Sequence, residues 1–371
     1  LFSEEIEMLF NNSRFAVGIF IALASLGVAY ATLSNFPGRS PAGSVERLYE
    51  DLNAGFASLW KARTGLDIKV EHALSKSGKP VHITVDGLYV PSLALSYDVD
   101  KLHDRERFIA PGARELLAQD FRPGSLPSAY TSTIVFLVRK GNPKELRDWS
   151  DLVRPDIKVV TPNPKRSENG RWNYLAAWGS AMKQSGGSEQ AAREFVGRLF
   201  ANAQIVNYED GKPQDQAVDF ISNGVGDVFL IWENEAHLIV HNSGNEKFEI
   251  VTPSISIVAE PVISVVDAVA RGKDARGVGA SYIEYLYTPQ AQHIAAQHYY
   301  RPRDPSVGAR YEDRFPHLEL FTLDEVAGGW QKAQKIHFAK DGIFDRIAGD
   351  KPASVAANGS ISATLRDESD G

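Results

Sequence analysis

The stretch KRSENGRWNYLAAWG, residues 165–179, follows the apolar run IKVVTP (157–162), and the fold turns on how the two are read together. The run is a strand. The polar turn after it opens an amphipathic helix, with Ser167 as N-cap and Glu168 in the first turn. A helix start carries backbone N–H groups without intrahelical partners and the positive end of the helix dipole, so it holds an anion. That charge comes either from a solute or from Glu168 itself.

The same alternation extends in both directions. VERLYEDLNAGFASLWKA (45–62) is helical; LDIKVEHAL (66–74), YTSTIVFLVRK (130–140), GDVFLIW (226–232) and FEIVTP (248–253) are strands. Helices alternating with short apolar strands indicate an α/β architecture with largely parallel sheets. Ligands in such folds lie beyond the carboxyl ends of strands, where loops begin helices. Two loops fit: HALSKSGKP (72–80) and TPNPKRSENGRW (161–172).

With 371 residues, 43% of them hydrophobic, the chain has material for two lobes and more. A net charge of −7 without a basic stripe argues against nucleic acid as a partner. Cysteine is absent, which removes disulfides, thiolate nucleophiles and Cys-based metal sites. The nine histidines show no metal pattern and read as surface residues. Ser77-Gly78-Lys79 lacks the glycine spacing of a phosphate loop, and no nucleophile elbow occurs, so no catalytic residue, cofactor or metal site is expected and the chain is not read as an enzyme. Trp172 and Trp178 sit among apolar neighbours as core residues; Trp232 is either core or a donor.

Residues 1–14 form a leader with three glutamates against one arginine. The uncharged run FAVGIFIALASLGVAYATL (15–33) is long enough, at about 1.5 Å per residue, to cross a hydrocarbon core of about 30 Å. It reads as a retained transmembrane helix, against the alternative of a secretory signal cleaved after Ala29-Tyr30-Ala31. Gly18, Ala22, Ser25 and Ala29 line one small-residue face on which another membrane helix can pack. SNFPGRSPAGS (34–44) is a linker, and 348–371 is a mobile or partner-ordered tail.

The runs YTSTIVFLVRKGNPKELRDWSDLVRP (130–155), VVTPNPK (159–165), RWNYLAAWG (171–179), GVGDVFLIWENEA (224–236), KFEIVTPSISIVAEP (247–261) and YLYTPQAQHIAAQHYYRPRD (285–304) closely resemble the periplasmic sulfate-binding proteins of ABC transporters. The resemblance spans about Val45 to Ile347. It implies a two-lobe, type II periplasmic-binding-protein fold, with 45–131 and 260–347 in lobe 1 and 132–259 in lobe 2. With the 15–33 run as an anchor, it implies an inner-membrane, single-pass location with the soluble part in the periplasm. In that family sulfate is held by neutral donors alone: backbone N–H groups, serine hydroxyls and an indole N–H. Ser77, Ser167 and Trp232 match those donors.

Other positions depart from the family. Glu168 and Asn169 stand where two glycines follow the second-lobe serine, Ser75 and Lys76 replace glycines before Ser77, and Pro213 falls at or near a backbone donor in KPQDQA (212–217). An aspartate of the first lobe is replaced near Gly43 and Ser44. Proline has no N–H to give. A carboxylate about 4 Å from one unit charge costs about 4 kcal/mol at an effective dielectric of about 20, so roughly 8 kcal/mol against a dianion, or five to six powers of ten in affinity. Glu168 or Asp215 could occupy the anion site, or Glu168 could be an exposed first-turn residue.

These departures lead to the expectation of a vestigial anion site and of sulfate as an unlikely partner. The chain is then a membrane-anchored subunit holding a larger membrane complex, photosynthetic or respiratory, through its helix and periplasmic surface. The alternative is a tethered sulfate or thiosulfate receptor of an ABC transporter.

Overall fold

A computed structural model describes residues 44–74, 80–85, 88–91, 94–95, 128–206, 220–262 and 281–349. The leader, the 15–33 segment with Gly18, Ala22, Ser25 and Ala29, the tail, and Ser77, Pro213 and Asp215 lie outside them. Among the described residues no helix is long and apolar enough to cross a membrane.

The chain is organised around β5 (Tyr130–Arg139), a strand with two characters. Its first part is polar yet buried: Thr133 donates to the Ile257 carbonyl at 2.8 Å and Ser132 to the Asn234 side chain at 2.7 Å, so both hydroxyls are satisfied. Its second part is apolar on both faces. Ile134, Phe136 and Val138 join one core, whereas Val135 and Leu137 join another. This is the period-2 alternation of a strand covered on both sides.

The same sheet holds β6 (Val159–Pro162), β7 (Ala203–Val206), β8 (Val228–Trp232), β9 (Phe248–Val251) and β10 (Ile255–Ala259), in the order β10-β5-β8-β6-β7 with β9 also paired to β5. β6 is parallel to both β7 and β8, but β5 is antiparallel to β8, β9 and β10. The sheet is therefore mixed, with β5 alone running against strands that are otherwise parallel to one another. Helix–strand alternation carries no information on the direction of the one strand that leads in from elsewhere.

The helices α2 (Glu168–Gln184) and α3 (Glu189–Ala201) cover one face, and α4 (Glu233–Asn242) the other. α2 is not amphipathic: every residue from Trp172 to Ala181 is buried. Its far side is covered by the C-terminal segment, because Phe321, Val326, Trp330, Phe338, Phe344 and Ile347 belong to the same core. Contact there is close enough that a Cβ on Gly179 would lie 2.1 Å from the Phe321 ring. Residues 321–347, grouped with lobe 1 on sequence, thus pack on the core built from β5, β6 and β8.

A separate core joins α1 (Ser44–Thr64) to α5 (Pro289–Gln297), with Leu48, Tyr49, Phe56, Tyr130, Tyr282 and Tyr300 inside. Within it Tyr49 is hydrogen-bonded to Tyr130 at 2.8 Å and Tyr282 to Asn53 at 2.7 Å. The antiparallel strands β1 (Val70–Leu74), β2 (Pro80–Val85) and β3 (Leu88–Pro91) follow α1, and the two-residue β4 (Ala94–Leu95) follows them. Tyr130 is in this core and Ile134 in the other, so β5 runs from one into the next.

Candidate functional site

Parallel strands β6 and β8 end side by side, and the two candidate elements begin where they stop. β6 runs into the turn 163–167 and then α2; β8 ends at Trp232, which caps α4 directly. Asn173 fixes the arrangement by donating to the Thr161 hydroxyl at 3.0 Å and the Leu230 carbonyl at 2.8 Å, so one amide ties α2 to both strands. The site lies at the carboxyl edge of the sheet, where α/β folds place ligands.

Ser167 has extended backbone (φ −122, ψ 134), and its hydroxyl accepts from the Gly170 N–H at 3.4 Å. It is the N-cap expected from the sequence. The capping contact is long for an N–H···O bond, so the hydroxyl is only lightly engaged. Gly170 is required by close approach: a Cβ there would lie 2.6 Å from the Pro162 carbonyl oxygen. The turn itself is held by Lys165, whose ammonium donates to the Phe338 and Ala339 carbonyls at 3.0 Å each and pairs with Asp345 at 2.8 Å. Asp345's carboxyl is held below its ordinary range, chiefly by that bond to Lys165.

Trp232, 8% exposed, donates its indole N–H to the Asn169 side-chain oxygen at 3.1 Å. Ser167, Glu168, Asn169 and Trp232 are therefore gathered at one place. Glu168 is half-buried in the first turn. Trp172 stands edge-on to Trp232 at 5.4 Å and to Trp330 at 4.8 Å, and both Trp172 and Trp178 are core residues.

Sequence reasoning missed the groups behind this site. Glu233, next to Trp232, makes a bidentate ion pair with Arg301 at 2.5 and 2.6 Å, with side-chain exposures of 1% and 12%. Burial raises the Glu233 carboxyl above its ordinary range, against the pull of Arg301. Asn234 connects Ser132 to the Tyr300 hydroxyl. The signal, three polar residues in WENEA (232–236) after an apolar strand, was present but had no partner visible in the sequence. The histidines are not all at the surface either: His337 is 3% exposed and bonded to the Tyr174 hydroxyl at 2.9 Å. Among the described residues no group of three or more His, Cys, Asp or Glu could hold a metal.

A family profile described as "Bacterial extracellular solute-binding protein" matches residues 42–301. The chain belongs to that family. The sulfate-binding protein of Salmonella typhimurium is 47% identical over 306 residues, covering 82% of this chain and 90% of that protein. The thiosulfate-binding protein of Pseudomonas aeruginosa is 36% identical over 347 residues, covering 91% and 98%. Among solved structures, the Mannheimia haemolytica ferric iron-binding protein A in an open conformation is 17% identical, covers 81% of this chain and 96% of that one, and gives a TM-score of 0.52. At that identity the likeness is of fold alone.

This solute-binding protein is thus a two-lobed α/β periplasmic or extracellular binding domain. Its family is a non-catalytic component of transport. The expectation of a purely structural subunit, with sulfate an unlikely partner and a membrane complex as its main contact, is corrected by the 47% and 36% identity to relatives named for sulfate and thiosulfate. The physical reason lies in the donors. A helix start offers backbone N–H groups, which substitutions at Glu168 and Asn169 leave in place, and the Coulomb cost assumed a separation that a sequence does not supply.

Proposed function

We propose that the chain is the oxyanion receptor of an ABC-type importer, taking sulfate or thiosulfate between its lobes. The observation that carries this is the 47% identity over 90% of a protein named for sulfate binding. The geometry supports it. The start of α2, the Ser167 hydroxyl and the indole of Trp232 lie at one sheet edge, and with Ser77 from the other lobe they make a set of neutral donors suited to a fully ionised tetrahedral anion. Residues 45–131 with the segment to about 300 form lobe 1, and 132–259 with 321–347 form lobe 2. The 15–33 segment tethers the receptor to the membrane, where Gly18, Ala22, Ser25 and Ala29 let a partner helix approach.

Calorimetric titration of the desalted protein with sulfate, thiosulfate, molybdate and phosphate tests the reading. Saturable heat with sulfate or thiosulfate is expected. Flat isotherms for both would overturn it.

A further inference from the structure

We propose that the cavity at the far end of α4 is a second ligand site, one that takes a small organic carboxylate, with Arg47 as its charged anchor. It is separate from the oxyanion site and does not depend on how that site is read.

The cavity has a volume of about 360 Å³, within the range of roughly 300–1,000 Å³ usual for small-molecule sites. Three helices meet at it: α1 through Arg47, α4 through Leu238, His241 and Asn242, and α5 through His298 and Tyr299, the two residues that follow its last turn. α4 starts directly after Trp232, so at about 1.5 Å per residue Asn242 lies about 15 Å along the axis from the residue that carries the indole. A small ligand here does not touch Trp232.

The lining is rich in donors and, among the described residues, holds no carboxylate. Arg47 is exposed and makes no ion pair with another described residue, which leaves its planar fork of N–H groups for a planar acceptor. Asp51, one helical turn away, is engaged by His298 at 2.7 Å and not by that guanidinium. An ionised carboxylate only accepts, so His298 donates from Nε2 and Nδ1 is the nitrogen left for a ligand. Asn242 adds an amide and His241 a second imidazole.

Backbone strain is the second observation. Tyr299 has a φ of 68, in the left-handed region. Helices often end on one such residue, but glycine adopts it freely and a bulky side chain does so at a cost. What the chain gains is a fixed ring: Tyr299 stacks on His237 at 5.4 Å and 9°, with the Arg314 guanidinium 5.0 Å from its centroid. Its hydroxyl takes no hydrogen bond among the described residues. Strain of this kind concentrates where a side chain is held for a ligand, and a wall fixed beforehand loses little freedom on binding.

The same surroundings choose the class of anion. α4 and α5 both end at the cavity, and the negative pole of a helix works against a compact dianion such as sulfate. Leu238 and the Tyr299 ring offer apolar surface that such an ion cannot use. A monoanion with an apolar body answers both, its carboxylate taking two parallel bonds from Arg47 and its body lying on Leu238 and Tyr299.

Benzoate is the probe, with benzamide as a neutral analogue of the same shape. Ligand-observed NMR titration of the full chain should show saturable benzoate binding at about millimolar concentration or below. Benzamide should bind about tenfold more weakly or worse, and Arg47→Met should weaken benzoate binding about ten- to hundredfold, because the charged bonds are lost. Arg47 is exposed, so this variant should melt as wild type does without ligand. No saturation up to about 10 mM benzoate, equal binding of benzamide, or unchanged binding in a folded Arg47→Met overturns the inference. Displacement of benzoate by stoichiometric sulfate also overturns it, since the probe is then at the oxyanion site. Flat sulfate isotherms overturn only the receptor reading.

Discussion

Replacing Arg301 with methionine tests how much of the structure behind the site depends on one buried ion pair. Methionine keeps much of the volume and removes the charge. Glu233, its side chain 1% exposed, then loses both of its guanidinium contacts, and the Pro316 carbonyl loses a donor at 3.0 Å. Breaking a buried pair from one side costs about 3–5 kcal/mol, because the remaining charge stays desolvated. Two opposing influences act on the Glu233 carboxyl in the intact chain: burial raises its pKa, and Arg301 lowers it. The substitution leaves burial alone, so folded Arg301→Met holds a proton on Glu233 that the unfolded chain gives up near the usual carboxylate pKa. Stability of the variant is then full below that value and lost as pH rises through the raised folded pKa.

Urea unfolding at pH 5 and pH 7.5 reads this directly. Relative to wild type, Arg301→Met should fall short by about 3–5 kcal/mol at neutral pH and by less at acid pH. Adding Glu233→Leu should recover most of the loss, since no unpaired charge remains. A deficit under about 1 kcal/mol at neutral pH, or one that grows as pH falls, would refute the assignment of the pair as buried and mutually dependent.

Gly170→Ala would place a Cβ 2.6, 2.8 and 2.9 Å from backbone atoms of Pro162, Asn163 and Pro164, so the turn carrying Ser167 must shift. A loss of about 1–3 kcal/mol in stability, with weaker oxyanion binding, is expected in melting and titration; wild-type values for both would show that the turn is not constrained as described. His337, buried and pushed down to about 4, stays neutral when folded while the unfolded chain takes up a proton near its ordinary pKa of 6.5. Its contribution is full above about pH 6.5 and declines as pH falls toward 4, with a ceiling on the order of 3 kcal/mol. His337→Gln should flatten the acid limb of a stability–pH curve measured by urea unfolding, and an unchanged slope would remove His337 as its source.

What the sequence made legible was local. The strand β6, the Ser167 cap and the end of β8 at Trp232 follow from an apolar run, a capping residue and a second apolar run, each readable within a few positions. What stayed hidden was long-range. α2 reads as amphipathic until Phe321, Trp330 and Phe338 cover its far side, and nothing in residues 165–184 announces a cover that arrives more than a hundred positions later. The same holds for Glu233 and Arg301, separated by 68 positions, and for Trp232 and Asn169, separated by 63.

The Trp232–Asn169 contact also shows what counting substitutions leaves out. Reading Glu168 and Asn169 as replacements for glycines treats each side chain as an obstacle set against a fixed ligand position. In the folded chain Asn169 accepts from the indole that sequence comparison assigns to the ligand, so the departure is matched by a compensating contact. The donors that matter most at a helix start are main-chain N–H groups, whose number does not depend on which residues carry them, proline apart. Side chains there adjust which anion fits and how tightly. The turn is held by Gly170 against Pro162, by Asn173 against β6 and β8, and by Lys165 against the C-terminal segment, so on the receptor reading proposed above a change that disturbs it should weaken binding more than a change at Glu168.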